Sequence, residues 1–137
     1  MPSRARHVAL AGLAVVMVAA AGAAYGAFEY KRQQRIKSDA AALTGGDPDR
    51  GPQLIGHYGC GGCHTIPGVR GAQGLVGPPL RQFAGRVYIG GVLANRPDNL
   101  VRWIVDPRAV SPKTAMPRTG ISEREARHVA AYLLMLR

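Results

Sequence analysis

The chain has 137 residues, with 18 Lys and Arg against 8 Asp and Glu for a formal net charge of +10; that is room for one small domain and an appendage. Its two cysteines are too few for a disulfide framework. No acid pair and no nucleophile with an adjacent base stands out. Gly68, Gly71 and Gly74 follow no predicted strand, which argues against a phosphate-cradling nucleotide site.

In chain order, residues 1–7 form a short segment made basic by Arg4 and Arg6, and residues 8–28 carry no charge. As a helix this uncharged stretch is about 30 Å long, the thickness of a bilayer's hydrocarbon core. It reads either as a transmembrane anchor or as a signal peptide cut near Ala19-Ala20-Ala21 or Ala21-Gly22-Ala23. Lys31, Arg32, Arg35 and Lys37 follow it, so charge on both flanks leaves the orientation open. Residues 29–50 are basic and then polar, ending in Thr44-Gly45-Gly46-Asp47-Pro48-Asp49, and read as a linker closed by a turn. A flexible linker of that length spans about 25 Å. Its basic run is either a solvated face or a contact with anionic lipid headgroups.

The functional domain is expected over 51–137. A first helix is predicted over 49–59, with Pro52 in its first turn and Leu54, Ile55 and Tyr58 on one apolar side. It runs into Cys60-Gly61-Gly62-Cys63-His64. Two thiols three positions apart can each form a thioether to one edge of a porphyrin, and the following imidazole then lies under the iron. Other readings of the motif are weaker. Structural zinc wants four ligands from two pairs, and no second pair exists; a thioredoxin-like redox pair wants a βαβ setting, and a plain disulfide is weaker still. One covalent haem c with its iron is the cofactor expected here. In so small and Gly-rich a domain it would also form much of the core, so the haem-free form should fold poorly.

A second helix is predicted over 97–105, carrying Leu100, Val101, Trp103 and Ile104 and stopping before Asp106-Pro107. The segment from Ser111 to Pro117 has no helical period. A third helix begins at the capping box Ser122-Glu123-Arg124-Glu125, with Ala126, Val129, Ala130 and Leu133 on its apolar face.

From Gly51 onward the chain resembles the class I c-type cytochromes. The resemblance rests on Cys60-Gly61-Gly62-Cys63-His64, then Gly77-Pro78-Pro79-Leu80 leading to Gly85-Arg86, then Met116-Pro117 before a helix containing Tyr132-Leu133. It implies an all-α fold of three to four helices and loops wrapped around one haem, after an N-terminal transmembrane or signal helix. It makes Cys60 and Cys63 the thioether anchors and His64 the proximal ligand, with the Pro78 carbonyl accepting a hydrogen bond from it. Arg86, Tyr88 and Trp103 fall where the family places groups near the haem propionates, against plain readings as surface charge or core packing. Met116 becomes the distal ligand in place of a core gap-filler. Met17 lies in the N-terminal apolar stretch, Met135 reads as packing, His57 is too close to Cys60 to reach the opposite haem face, and His128 reads as exposed.

Six-coordinate iron leaves no site for a small-molecule substrate, so the expected function is one-electron transfer and not catalysis. Residues 51–137 contain eleven Lys/Arg and four Asp/Glu, which favours redox partners with acidic docking surfaces. These are expected to be a quinol-oxidising complex and a terminal oxidase. The alternatives are a dedicated haem subunit of a larger oxidase or dehydrogenase and, third, a ligand-binding or catalytic cytochrome. Nucleic acid is not an expected partner, because the basic residues are scattered among the haem motifs. The expected location is the bacterial cytoplasmic membrane with the haem domain in the periplasm or on the outer face, or export as a soluble form after cleavage.

Overall fold

A computed structural model of the chain describes residues 3–137, so the first two residues of the expected basic segment lie outside it. The chain divides into a unit ending at Arg35 and a second unit, Ile36–Arg137. Helix α1, Ser3–Thr44, begins in the first. Its apolar side chains there, from Val8 through Phe28, are exposed on the protein. An 18-residue window of mean hydropathy 2.1 makes it long and apolar enough to cross a membrane, a property shared by signal sequences.

The second unit is all-α apart from one small hairpin, with helices α2, Gly51–His57, α3, Pro97–Val105, α4, Pro107–Val110, and α5, Glu123–Met135. It also takes in the end of α1, which corrects the expected linker over 29–50: the chain is helical to Thr44, and Ile36, Ala40 and Thr44 are buried within this unit. The three are spaced four apart and make one narrow stripe. Polar residues on the remaining faces hide it in the composition. The expected turn follows the helix. Gly45, at φ 67°, donates its N–H to the Ala41 carbonyl, and the Asp47 carboxylate accepts from the Asp49 N–H at 2.9 Å, opening a 3-10 turn over Pro48–Arg50.

Helix α5 is the spine of this unit, packing against α2, α3 and the turn before α2. Ser122 and Glu125 form the capping box, each side chain meeting the other's backbone N–H at 3.3 Å. Ala126, Val129, Ala130 and Leu133 are buried with Leu100, Val101 and Ile104 of α3 and Ile55 of α2 in one core. Helix α2 crosses α5 closely because Gly51 lies on Tyr132, where a side chain would collide. The Tyr58 hydroxyl donates to the Glu125 carboxylate at 3.0 Å.

Helix α3 stops at Asp106, and the chain turns helical again at once. The Asp106 carboxylate accepts the Ala109 N–H at 3.1 Å and Pro107 occupies the first turn, so the residue pair that ends α3 also caps α4. The hairpin pairs β1, Tyr88–Ile89, with β2, Leu93–Ala94, in antiparallel register. Gly90 and Gly91 are both left-handed, at φ 56° and 74°, and the Val92 N–H closes the turn on the Ile89 carbonyl at 3.1 Å.

His128 is 9% exposed, which corrects the expectation that it faces solvent. The Asp47 N–H donates to its Nδ1 at 2.7 Å. The Arg50 guanidinium lies 3.4 Å from its Nε2, and the 127–128 backbone is pressed against Gly46. The Arg127 guanidinium donates to the Thr44 carbonyl at 3.0 Å, so the end of α1 and the turn after it are tied to α5 at two adjacent residues.

Candidate haem site

The motif cysteines sit where α2 gives out. Gly59 is left-handed at φ 70° and turns the chain into a 3-10 turn, Cys60–Gly62, and the Cys63 and His64 N–H groups donate to the Cys60 carbonyl at 3.2 and 3.0 Å. The tight turn keeps both thiols and the imidazole on one short stretch. Both cysteines are free and half-buried, and burial pushes the Cys60 thiol above its ordinary pKa.

The loop after His64 folds back along the motif. The Gly74 N–H donates to the Gly61 carbonyl at 3.0 Å, the Gly77 N–H to Cys63 at 2.8 Å and the Leu80 N–H to Thr65 at 2.8 Å. Tyr132 of α5 steadies its far side, its hydroxyl donating to the Pro67 carbonyl at 2.6 Å. The result brings the Pro78 carbonyl to 2.8 Å from His64 Nδ1. A carbonyl can only accept, so Nδ1 is the donor in this contact, and Nε2 is the ring nitrogen left to bind a metal. Gly77 lies directly under the same ring: a Cβ there would be 2.6 Å from Nδ1 and 2.9 Å from Nε2.

Arg86 is half-buried. Its guanidinium donates to the Pro79 carbonyl and, at 3.4 Å, to that of Arg81, and stands 5.3 Å from the Phe83 ring centre. It lines an open cavity of about 800 Å³ with Arg81, Arg137 and Gln82. Among the described residues Gln82 is the one non-glycine in the left-handed region, at φ 52°. Trp103 is buried, its indole on Gly90, where a Cβ would be 2.6 Å from Cζ2. That stacking seats the hairpin, and Tyr88 on the hairpin is 61% exposed. Met116 is half-buried against the core, in a segment without regular structure, and its N–H donates to Thr114 Oγ1 at 3.2 Å. Thus His64 and Pro78 meet directly, Trp103 and the hairpin carrying Tyr88 are packed together, and Met116 reaches the same core from a separate segment.

Sequence reading passed over Asn95. Its Nδ2 donates to the Phe83 and Arg86 carbonyls, both at 3.0 Å, and its N–H donates to Val87 at 2.9 Å, which fixes the backbone carrying Arg86. Its Oδ1 is buried with no partner among the described residues. The signal for it was an Asn just before the Arg96-Pro97 helix start, which by itself reads only as a turn residue.

The donor set fits a haem. Among the described residues no three of His, Cys, Asp and Glu gather as a metal cluster, so an ion that needs four protein ligands finds none here. A porphyrin brings its own four nitrogens, and asks of the chain two free thiols and one oriented imidazole.

The family model described as Cytochrome c matches residues 48–137. Over 90 residues the chain is 33% identical to cytochrome c oxidase subunit 2 of Alkalihalophilus pseudofirmus, covering 65% of this chain and 25% of that protein. Over 89 residues it is 32% identical to cytochrome c oxidase subunit 2 of Bacillus sp. strain PS3, covering 62% and 25%. The chain therefore spans about a quarter of the length of the curated relatives it matches. No solved structure matches it significantly.

Proposed function

Because the chain belongs to the cytochrome c family, whose members bind haem c covalently and use it for electron transfer, we propose that it is a one-electron carrier with a single haem and His/Met ligation. Cys60 and Cys63 would form the thioethers, and His64 and Met116 would supply the iron's two protein ligands. The observation that carries the reading is the 2.8 Å contact between His64 Nδ1 and the Pro78 carbonyl, which engages Nδ1 and leaves Nε2 as the ring nitrogen able to bind the iron, on the same short turn as two free thiols.

Haem bound there supplies a one-electron iron couple. The chain's own residues prepare it. Pro78 holds the His64 proton on Nδ1 and raises the basicity of Nε2. Gly77 leaves room for the ring. The Met116 thioether would favour the reduced iron and raise its potential. Arg86, held over the loop by its carbonyl contacts, and the Trp103 indole N–H are the donors for the propionates, with Tyr88 as a third. Iron held by both His64 and Met116 would have no place for a small-molecule substrate, so the proposed role is electron transfer and not catalysis.

The electron passes to a terminal oxidase and comes from a quinol-oxidising complex. The N-terminal helix holds the chain at the bacterial cytoplasmic membrane with the haem domain on the periplasmic or outer face. A second reading, a dedicated haem subunit resident in the oxidase, is favoured by the names of both relatives. Two experiments test these readings. In Met116→Ala the weak sulfur-to-iron charge-transfer band of the oxidised protein should vanish, and its absence from the wild type refutes the ligation. Stoichiometric co-purification with oxidase subunits in mild detergent identifies a resident subunit, and recovery of the chain alone identifies a free carrier.

A further inference from the structure

Met116 lies in a stretch that little holds in place. Residues 115–121 have no regular structure, and among the described residues their backbone makes no hydrogen bond beyond Thr114, whose Oγ1 receives the Met116 N–H. Ile121 is buried and pins the far end, and Met116 is itself half-buried against the core. One polar contact leaves the stretch. Arg118 Nε donates to Asp106 Oδ2 at 3.3 Å.

Asp106 is fixed before it meets that cation. Its N–H donates to the Arg102 carbonyl at 2.9 Å, and its Oδ1 accepts the Ala109 N–H at 3.1 Å, so the end of α3 and the start of α4 hold its backbone and one oxygen. Oδ2 is left for Arg118. The carboxylate is 26% exposed against 66% for Arg118, and a side chain already immobilised gives up little further freedom on pairing. Arg108 and Lys113 lie nearer in sequence, yet neither makes an ion pair among the described residues. The carboxylate thus takes the cation beyond Met116 and not those before it, closing the chain from 106 to 118 into a loop around the methionine. Pro107, Pro112 and Pro117 stiffen that loop by fixing φ at three positions.

We propose that Asp106 and Arg118 form a latch that holds the Met116 thioether in place for the iron, both of them positioning residues that act through Met116. The proposal rests on the His/Met ligation read above. When the latch opens, the bond from the Met116 sulfur to the iron is exchanged for one from a competing donor, with no electron or proton transferred.

The test uses full-length oxidised holoprotein titrated with imidazole, read by loss of the sulfur-to-iron charge-transfer band. Asp106→Asn keeps an oxygen for the Ala109 N–H, so the cap survives and the charge alone is lost. This variant and Arg118→Gln should each tighten imidazole binding about three- to fivefold at low salt, the effect of losing an ion pair with one partner already held. The double variant should tighten it no further than either single change. At about 1 M salt, where the screening length is about 3 Å, most of the difference should vanish. Arg127→Gln, which breaks the pairs with Asp98 and Glu123, should lower stability and leave the imidazole affinity as it is. Unchanged affinity in either single variant overturns the latch and leaves the His/Met reading standing. Additive effects, effects that persist in salt, or an equal effect in Arg127→Gln overturn it in the same way. A wild-type spectrum without the charge-transfer band overturns the ligation and the latch together.

Discussion

Gly77→Ala puts a methyl group against the proposed proximal ligand. The new Cβ would stand 2.6 Å from His64 Nδ1 and 2.9 Å from Nε2, about 1 Å inside ordinary van der Waals contact. Neither side can yield freely, since the Gly77 N–H is bonded to Cys63 and Nδ1 to Pro78, both at 2.8 Å. Overpacking of this kind costs about 1–3 kcal/mol. If the ring tilts away, the bond to Pro78 adds about 1 kcal/mol. The sum is about 2–4 kcal/mol, with the iron's hold on His64 weakened about 10- to 100-fold as its supporting acceptor is lost. Denaturant unfolding of the holoprotein, followed by haem absorption, reads the first quantity, and competition by exogenous imidazole reads the second. Gly56→Ala is the control: it lies in α2 with nothing near its Cβ position and should be neutral or stabilise by up to about 1 kcal/mol. If Gly77→Ala unfolds within about 0.5 kcal/mol of the wild type and resists imidazole equally, the argument that Gly77 makes room for the ring is wrong.

His128→Phe leaves the Asp47 N–H without its buried acceptor and should cost about 1–3 kcal/mol; thermal melts of holoprotein matching the wild type would show that the contact contributes nothing. Hydrogen bonds from Ser122 and then from Tyr58 hold the Glu125 carboxyl below its ordinary pKa, so its contribution to stability is present above the ordinary carboxylate range and is lost as pH falls through the depressed value. Tyr58→Phe should move the Glu125 titration upward, and an NMR titration of that carboxyl reads it directly. Protein carrying Cys60→Ala and Cys63→Ala, made without haem, should lose cooperative melting by circular dichroism, while a native-like transition would show that the packed helices suffice alone.

The strongly periodic elements were legible. Helix α3 has the predicted bounds because Pro97 starts it and Asp106-Pro107 ends it. Helix α5 was readable from its capping box and apolar face, and α2 from its proline and apolar side, although residues 48–50 form a 3-10 turn. The pairing of His64 with Pro78 was implied by the family resemblance, whereas the bridging by Asn95 was not, since its partners are backbone carbonyls at 83 and 86 that no side-chain pattern advertises. Helix α4 was hidden because the proline that breaks one helix starts the next, and the hairpin because strands of two residues are too short to show a period of two. The burial of His128 depends on Asp47, 81 positions away, a distance over which local charge is a poor guide.

The burial of Ile36, Ala40 and Thr44 bears on where the polypeptide can be severed. A cut between Thr44 and Gly51, at the start of the haem domain expected from sequence, would strip away a buried isoleucine, a loss of about 1.5–3 kcal/mol before anything else is counted, along with the carbonyl that receives Arg127. Cleavage after Ala21 or Ala23 spares all of it. A durable water-soluble fragment should therefore begin ahead of Ile36, and limited proteolysis of the native protein should leave a product whose first residue lies on that side.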